Sequence, residues 1–322
     1  MSLEFVDGFD SYTQGSEGSL RWDVNGPGNP VSGGRYGGSY CTSGNPTKTV
    51  QNAVTRTVGC AFRYNSSNQL IIQLRDGGTG QIDLRVDSSG HLTLMRNNGG
   101  TLLATSTFAM SFNTWYYLEL QATINSTTGY CEGRANGVTW VTFTGNTQQS
   151  SNALTNQISF FTNGGWFDDI YSRNDSTFMG ELSIVADLSN AEGDTLNWTP
   201  NSGTAHFSRV NEASQDADTS YNFDATVGNL DLYKFPSRTI TAGNTIAAIA
   251  FDMIARKDDV GVRQIAEQCK SSGTVYTGTT QTMSGSYVNY QQIREVDPAT
   301  STAWGTAAIG ASGAQFGVKT IA

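Results

Sequence analysis

A chain of 322 residues has room for two ordinary domains, each with a core of its own. Only 15% of its residues are charged, 11% are aromatic and 36 are glycine against 6 proline, a composition that suits a β-rich fold and excludes disorder. The formal charge is −9, with no basic stripe in either half, so phosphate-backbone binding is excluded and no nucleic-acid partner is expected.

The start, MSLEFVDGFD, has neither a basic region nor an apolar run, so no signal peptide is expected. No apolar stretch approaches the roughly 20 residues that span a bilayer, so no membrane insertion is expected either. Synthesis in a reducing cytosol follows as an expectation, with the thiols reduced at that stage.

Along the chain the first strong pattern is "QIDLRVDSSGHLTLMR". Ile82, Leu84 and Val86 alternate with polar residues, a Ser-Ser-Gly turn follows, and Leu92 and Leu94 continue on the return strand. "NTWYYLELQATIN" places Tyr116, Leu118, Leu120, Ala122 and Ile124 on one face and Trp115, Tyr117, Glu119 and Gln121 on the other, the half-buried pattern of an antiparallel sheet. Asn136-Gly137 marks a two-residue hairpin. "QISFFT" and "WFDDIYSR" complete the first half, and many short strands at near-regular spacing predict a two-sheet sandwich over 1–178. That half has 10 Lys/Arg against 13 Asp/Glu.

A polar run, "SRNDSTFMGE", places a boundary at about Phe178, with a second β-rich, sandwich-like domain over 179–322. "NTIAAIAFDMIARKDD" reads as strand or helix, with strand favoured by the alternation of Ile249, Phe251 and Met253. "VGVRQIAEQCKSSG" is the best helix candidate in the chain, yet strand is preferred there because "GTVYTGTTQTMSGSYVNYQQIREV" beyond it reads as two more strands.

Asp168 and Asp169 are adjacent among aromatics. Neighbours on a regular strand point to opposite faces, so the two are expected not to act as a catalytic pair. A carboxylate accepting backbone hydrogen bonds at a strand end is expected instead. Glycosidases need two carboxylates roughly 5 to 9.5 Å apart and aimed at one substrate. No alternating carboxylate pattern of that kind is present, and Glu119 and Glu132 read as isolated, solvent-facing strand residues. No catalytic residue is therefore assigned.

Asp7, Asp10 and Asp169 are the calcium candidates, since first and last strands of a sandwich are often neighbours; six to eight oxygens would be needed. Calcium is the one cofactor considered. Asp216 and Asp218 lack an EF-hand context, and "RKDDVGVR" reads as a solvated turn. Trp22, Trp115, Trp140 and Trp166 are candidates for stacking on sugar rings, with core filling as the competing role. His91, beside a Ser-Ser-Gly turn, shows no acidic partner in the sequence, and His206 is read within a strand. The four cysteines have no CxxC spacing, which argues against zinc. Cys60 and Cys131 read as core residues, whereas Cys41, in "GGSYCTSGNP", is expected to be exposed and able to form a disulfide after release.

"FVDGFDSY", "RYGGSY", "FNTWYYLELQATI", "ANGVTW" and "FDDIYSRND" occur in that order, and the succession resembles the concanavalin A-like lectin/glucanase (laminin G-like) jelly roll. The resemblance implies two curved sheets whose first and last strands pair, with Phe5–Phe9 beside Phe167–Tyr171. "MGELSIVADLSNAEGD", "NWTPNSG", "VNEASQDADTSYNFDATVGNLDLY", "AIAFDMIARKDDVGVRQIAEQC" and "VDPATSTAWGTAAIGASGAQFGVK" are similar to the C-terminal region of virion structural proteins of tailed bacteriophages. That resemblance implies a non-enzymatic virion component on capsid or tail, assembled in the host cytoplasm and displayed on the virion surface. Its partners would be other virion proteins, copies of itself with a trimer favoured, and host surface polysaccharide held weakly at many sites. The alternatives are a lectin whose main role is glycan recognition and a polysaccharide-degrading enzyme.

Overall fold

The computed structural model describes residues 2–322 apart from 14, 67, 163, 164, 311 and 312, with the side chains of 15–17 left aside. The chain divides into two units, 1–186 and 187–322.

Unit one opens with β1 (Leu3–Asp7), helix α1 (Gly15–Arg21) and a small hairpin of β2 (Val31–Ser32) and β3 (Ser39–Tyr40). Next come β4 (Thr47–Ala53), β5 (Thr55–Tyr64), β6 (Gln69–Asp76), β7 (Thr79–Val86) and β8 (His91–Arg96). They are followed by β9 (Thr101–Ala109), β10 (Trp115–Thr123), β11 (Gly129–Ala135), β12 (Val138–Gly145), β13 (Thr155–Phe160) and β14 (Gly165–Arg173). Two six-stranded antiparallel sheets result. The first has the order β1-β14-β5-β10-β11-β12, the second β4-β13-β6-β7-β8-β9. This is the expected sandwich. The first and last strands do pair, Phe5 opposite Ser172, Val6 opposite Tyr171 and Asp7 opposite Ile170.

The alternation read from the sequence points inward as expected. Val58, Phe62, Leu118, Leu120 and Ala122 of the first sheet meet Ile72, Leu74, Ile82, Leu84, Leu92 and Leu94 of the second, all fully buried. Asn136 and Gly137 turn between β11 and β12 with φ of 50° and 74°, which is why the Asn-Gly pair sits there.

The opposite face of β10 departs from expectation. Tyr117 and Glu119 are completely buried and Gln121 nearly so. The polar run after β14 lies over them: Gly180 N–H donates to Glu119 at 2.9 Å, Gln121 to the Ser176 carbonyl at 3.3 Å, and the Arg134 guanidinium sits 3.6 Å from the Phe178 ring centre. These bonds hold the segment after β14 on unit one, which runs to Ala186, eight residues beyond Phe178.

Unit two contains β15 (Ala191–Leu196), β16 (Thr199–Pro200), β17 (Asn222–Phe223), β18 (Leu230–Lys234) and β19 (Ile249–Ala255). The remaining strands are β20 (Gln264–Ser271), β21 (Thr274–Thr282), β22 (Val288–Arg294) and β23 (Gln315–Thr320). A five-stranded sheet, β15-β18-β23-β20-β21, packs against the β19–β22 pair through Phe251 on Phe316 and through Met253, Ile265 and Tyr290. The segment favoured as strand over helix contains β20, "QIAEQCKS", an interior strand of the sheet, where Ile265, Ala266 and Cys269 are buried. His206 is not in a strand: it precedes a single 3-10 turn, Phe207–Arg209. Among the described residues unit two buries 10 apolar side chains against 36 in unit one, so its interior is thin. No helix is long and apolar enough to cross a membrane among the described residues.

Leu84→Ala is expected to lower the stability of unit one by about 2–5 kcal/mol in a denaturant titration, because the site lies between two packed sheets. Val262→Ala, at a side chain 71% exposed, is expected to change the stability of unit two by less than about 0.5 kcal/mol.

Candidate functional site

The closing strand β14 does not run regularly. Asp168 faces Ala61, but the next paired residue is Tyr171, opposite Gly59. The extra residue makes a bulge, and Asp169 takes φ of 50°, a left-handed conformation that Asp tolerates better than most residues. Ile170 still reaches the core and Tyr171 turns outward over Gly59, where an added Cβ would lie 2.1 Å from its ring. Regular alternation therefore does not separate the two aspartates, contrary to the strand argument.

Both are buried, Asp168 4% and Asp169 3% exposed. Asp168 accepts from the N–H of Arg35 at 3.0 Å and of Asp169 at 2.8 Å, and Asp169 accepts from Ile184 N–H at 2.6 Å. The expected role of holding backbone donors is thus present in both. Burial, then the charge of Asp169, push Asp168 up to about 8; the Arg35 and Asp169 N–H groups oppose this, and Asp10 adds to it. Burial pushes Asp169 up to about 7, against the Ile184 N–H and the Arg35 charge. Arg35 spans the site: it pairs with Glu181 and lies over Tyr117 at 5.2 Å and Tyr36 at 4.8 Å. Beside it the fully buried Glu119 accepts from the Tyr171 hydroxyl, which corrects its reading as a solvent-facing residue. Glu132 is also buried, held by Tyr130, Arg134 and Thr139. Asp168 thus clamps the β2–β3 loop, and Asp169 and Glu119 the 174–184 segment.

The three calcium candidates are not brought together. Asp7 is fully buried, and its oxygens already accept from Trp22 Nε1 at 2.7 Å, Tyr12 at 3.0 Å and Phe9 N–H at 3.0 Å, with Arg21 at 3.6 Å. Asp10 accepts from Ser39 N–H at 2.6 Å and does face the Asp168–Asp169 pair. Among the described residues no group of three or more His, Cys, Asp or Glu side chains is arranged to hold a metal.

The tryptophans separate. Trp22 is core, 2% exposed and edge-on to Phe5 and Phe160, so it cannot meet a ligand. Trp140 is half-buried against Phe108 and Tyr116 at a distant edge. Trp115 and Trp166 converge: both lie opposite Arg63 on the outward face of their sheet, and Tyr40 packs between them, 5.9 and 5.1 Å from their centroids. Arg63 lies 4.5 Å over Trp166. The result is a pair of half-buried tryptophans with the buried Tyr40 packed between them and a cation on one. Tyr40 and Arg63 were missed in the sequence, because only the register of β3, β5, β10 and β14 makes them neighbours.

Cys41 is fully buried and free, as are Cys60, Cys131 and Cys269. Its Gly/Ser-rich context suggested exposure, but Cys41 bonds to Phe167 in both directions, at 2.8 and 3.0 Å, and so joins the wall of the sandwich. Its thiol donates to the Ser43 carbonyl, and burial pushes it up to about 12. The expected disulfide has no exposed thiol to start from. The histidines do have acidic partners, Asp87 for His91 at 3.3 Å and Asp231 for His206 at 2.7 Å.

No protein-family model matches the chain, and no curated protein matches it. Solved structures are similar to part of it. Galectin LEC-6 of Caenorhabditis elegans is 16% identical with a TM-score of 0.31, over 39% of this chain and 89% of that one. A Bacillus subtilis protein of unknown function with a galectin-like fold is 11% identical with a TM-score of 0.36, over 54% and 96%. The carbohydrate-binding module CBM66 of Bacillus subtilis is 11% identical with a TM-score of 0.31, over 45% and 90%.

The aspartate pair sets a pH dependence. Both carboxyls titrate above their unfolded values near 4, so the folded chain holds more protons between about 4 and 8, and this contribution to stability falls as pH rises through that window. Stability read from thermal unfolding is expected to fall from pH 5 to about pH 8 and to level off by pH 9, and Asp168→Asn is expected to flatten the slope.

Proposed function

We propose that this is a non-enzymatic glycan-binding protein whose contact surface is Trp115 and Trp166 with Arg63, the two indoles being set by Tyr40 packed between them. The observation that carries it is the convergence of two half-exposed tryptophans on one outward row, with a guanidinium stacked on one of them. Indole faces suit the apolar face of a pyranose, and Arg63 adds donors for its hydroxyls. The enclosed carboxylates support binding over hydrolysis, since none reaches this row as an acid–base pair.

A second reading, a structural component of a tailed-phage virion assembled in the host cytoplasm and displayed on the particle surface, rests on the order of the C-terminal motifs. It is favoured by the thin interior of unit two, where Val260 and Val262 are 105% and 71% exposed and would gain from a docking partner. In that reading unit one attaches weakly to host polysaccharide, and many copies raise avidity. Retention of the purified chain on phage particles that lack it supports this reading; indifference to them removes it.

Trp115→Ala and Trp166→Ala are each expected to weaken oligosaccharide binding by about 3- to 10-fold in calorimetry after a glycan array has chosen the ligand. Unchanged affinity in the double variant would falsify the assignment. A chelator is expected to leave the affinity unaltered, because the oxygens of Asp7 are engaged by the protein's own donors.

A further inference from the structure

The side of unit one where β9 and β12 meet differs from the rest of its surface. Each strand is outermost in its sheet, so each leaves one ladder edge open. Neither carries a charge, their sequences being TLLATSTFA and VTWVTFTG. The outermost strands on the opposite side do: β1 holds Glu4 and Asp7, and β4 holds Lys48. Charge is a common protection of an open edge, and β9 and β12 lack it.

They are apolar as well. Phe108 is 55% exposed and Val138 and Leu102 58%. Phe108 packs 5.6 Å from Trp140, and Tyr116 lies 5.9 Å from the same indole. The Tyr116 hydroxyl accepts from Ser111 N–H at 2.8 Å, which brings the loop bearing Phe112, 58% exposed, to the same place. Exposed apolar groups of this density mark contact surfaces.

We propose that this side seats a second copy of the chain across a two-fold axis. Copies of a chain with formal charge −9 repel over most of their surface, and edge strands that carry no charge are where they approach at least cost. A strand edge is also self-complementary: antiparallel pairing about a two-fold axis presents the same patch on both partners. The axis passes beside β9 and β12, and Phe108, Val138 and Phe112 of each copy become buried.

The test is the mass of the full chain in solution by analytical ultracentrifugation over a range of concentrations, with Phe108→Lys and Thr107→Lys beside the native protein. Thr107 is exposed on the same strand, so its substitution leaves the core untouched. Native-like circular dichroism in the variants is required for the comparison. A dimer that both lysines weaken by at least about tenfold supports the proposal. A monomer at every concentration overturns it, as does a trimer, a dimer indifferent to both substitutions, or a monomer that binds oligosaccharide at Phe108. Trp115→Ala and Trp166→Ala are expected to leave the dimer intact, so failure of the glycan assignment is read separately.

Discussion

The bulge in the last strand of the sandwich governs what its outer face can do. One residue too many between Asp168 and Tyr171 must be absorbed without moving Ile170 from the core, and Asp169 absorbs it in a left-handed turn of the backbone. Both carboxylates are thereby left where backbone donors of two loops reach them. Removing a carboxylate from water is expensive unless it is hydrogen-bonded or neutralised. Here both occur, and the clamp fixes the β2–β3 hairpin that carries Tyr40 to its place between two tryptophans.

A second buried charge ties the two sheets at the far end. Arg56 is completely buried on β5 and reaches Glu4 of β1, Ser172 of β14, the Gln51 carbonyl of β4 and Thr155 of β13. Burial lowers its pKa and Glu4 opposes that. An ion pair of this sort adds little net stability compared with apolar packing, but losing one partner strands the other. Its contribution is to the register of strands that are far apart in sequence.

Unit two is built on a smaller scale. Its sheet is centred on β23 and β20, and Glu267 on β20 is paired with Arg294 of β22 and nearly fully buried. The His206–Asp231–Tyr233–Asn222 network then pins the long excursion between β15 and β18. Polar links of this kind order a loop that has little apolar surface to bury.

Much of the architecture was legible in the chain itself. The alternation in 82–86, 92–94 and 116–124, the Asn136-Gly137 turn and the strand preference at 264–271 are local signals, and side-chain parity and turn chemistry act over a few residues. What lay beyond the sequence depends on register between distant strands. The row Trp166–Arg63–Trp115 joins residues 103 and 52 positions apart in the chain, a bulge overrode parity at Asp169, and the 174–184 segment roofed a face whose pattern reads as half-exposed. Cys41 was misread for the same reason, since its pairing with Phe167 is invisible to a Gly/Ser-rich context. The sequence by itself determined which residues form strands and which faces are apolar, because those follow from spacing; the tertiary structure alone decided which polar and aromatic side chains meet, because that requires the ladders to be in register.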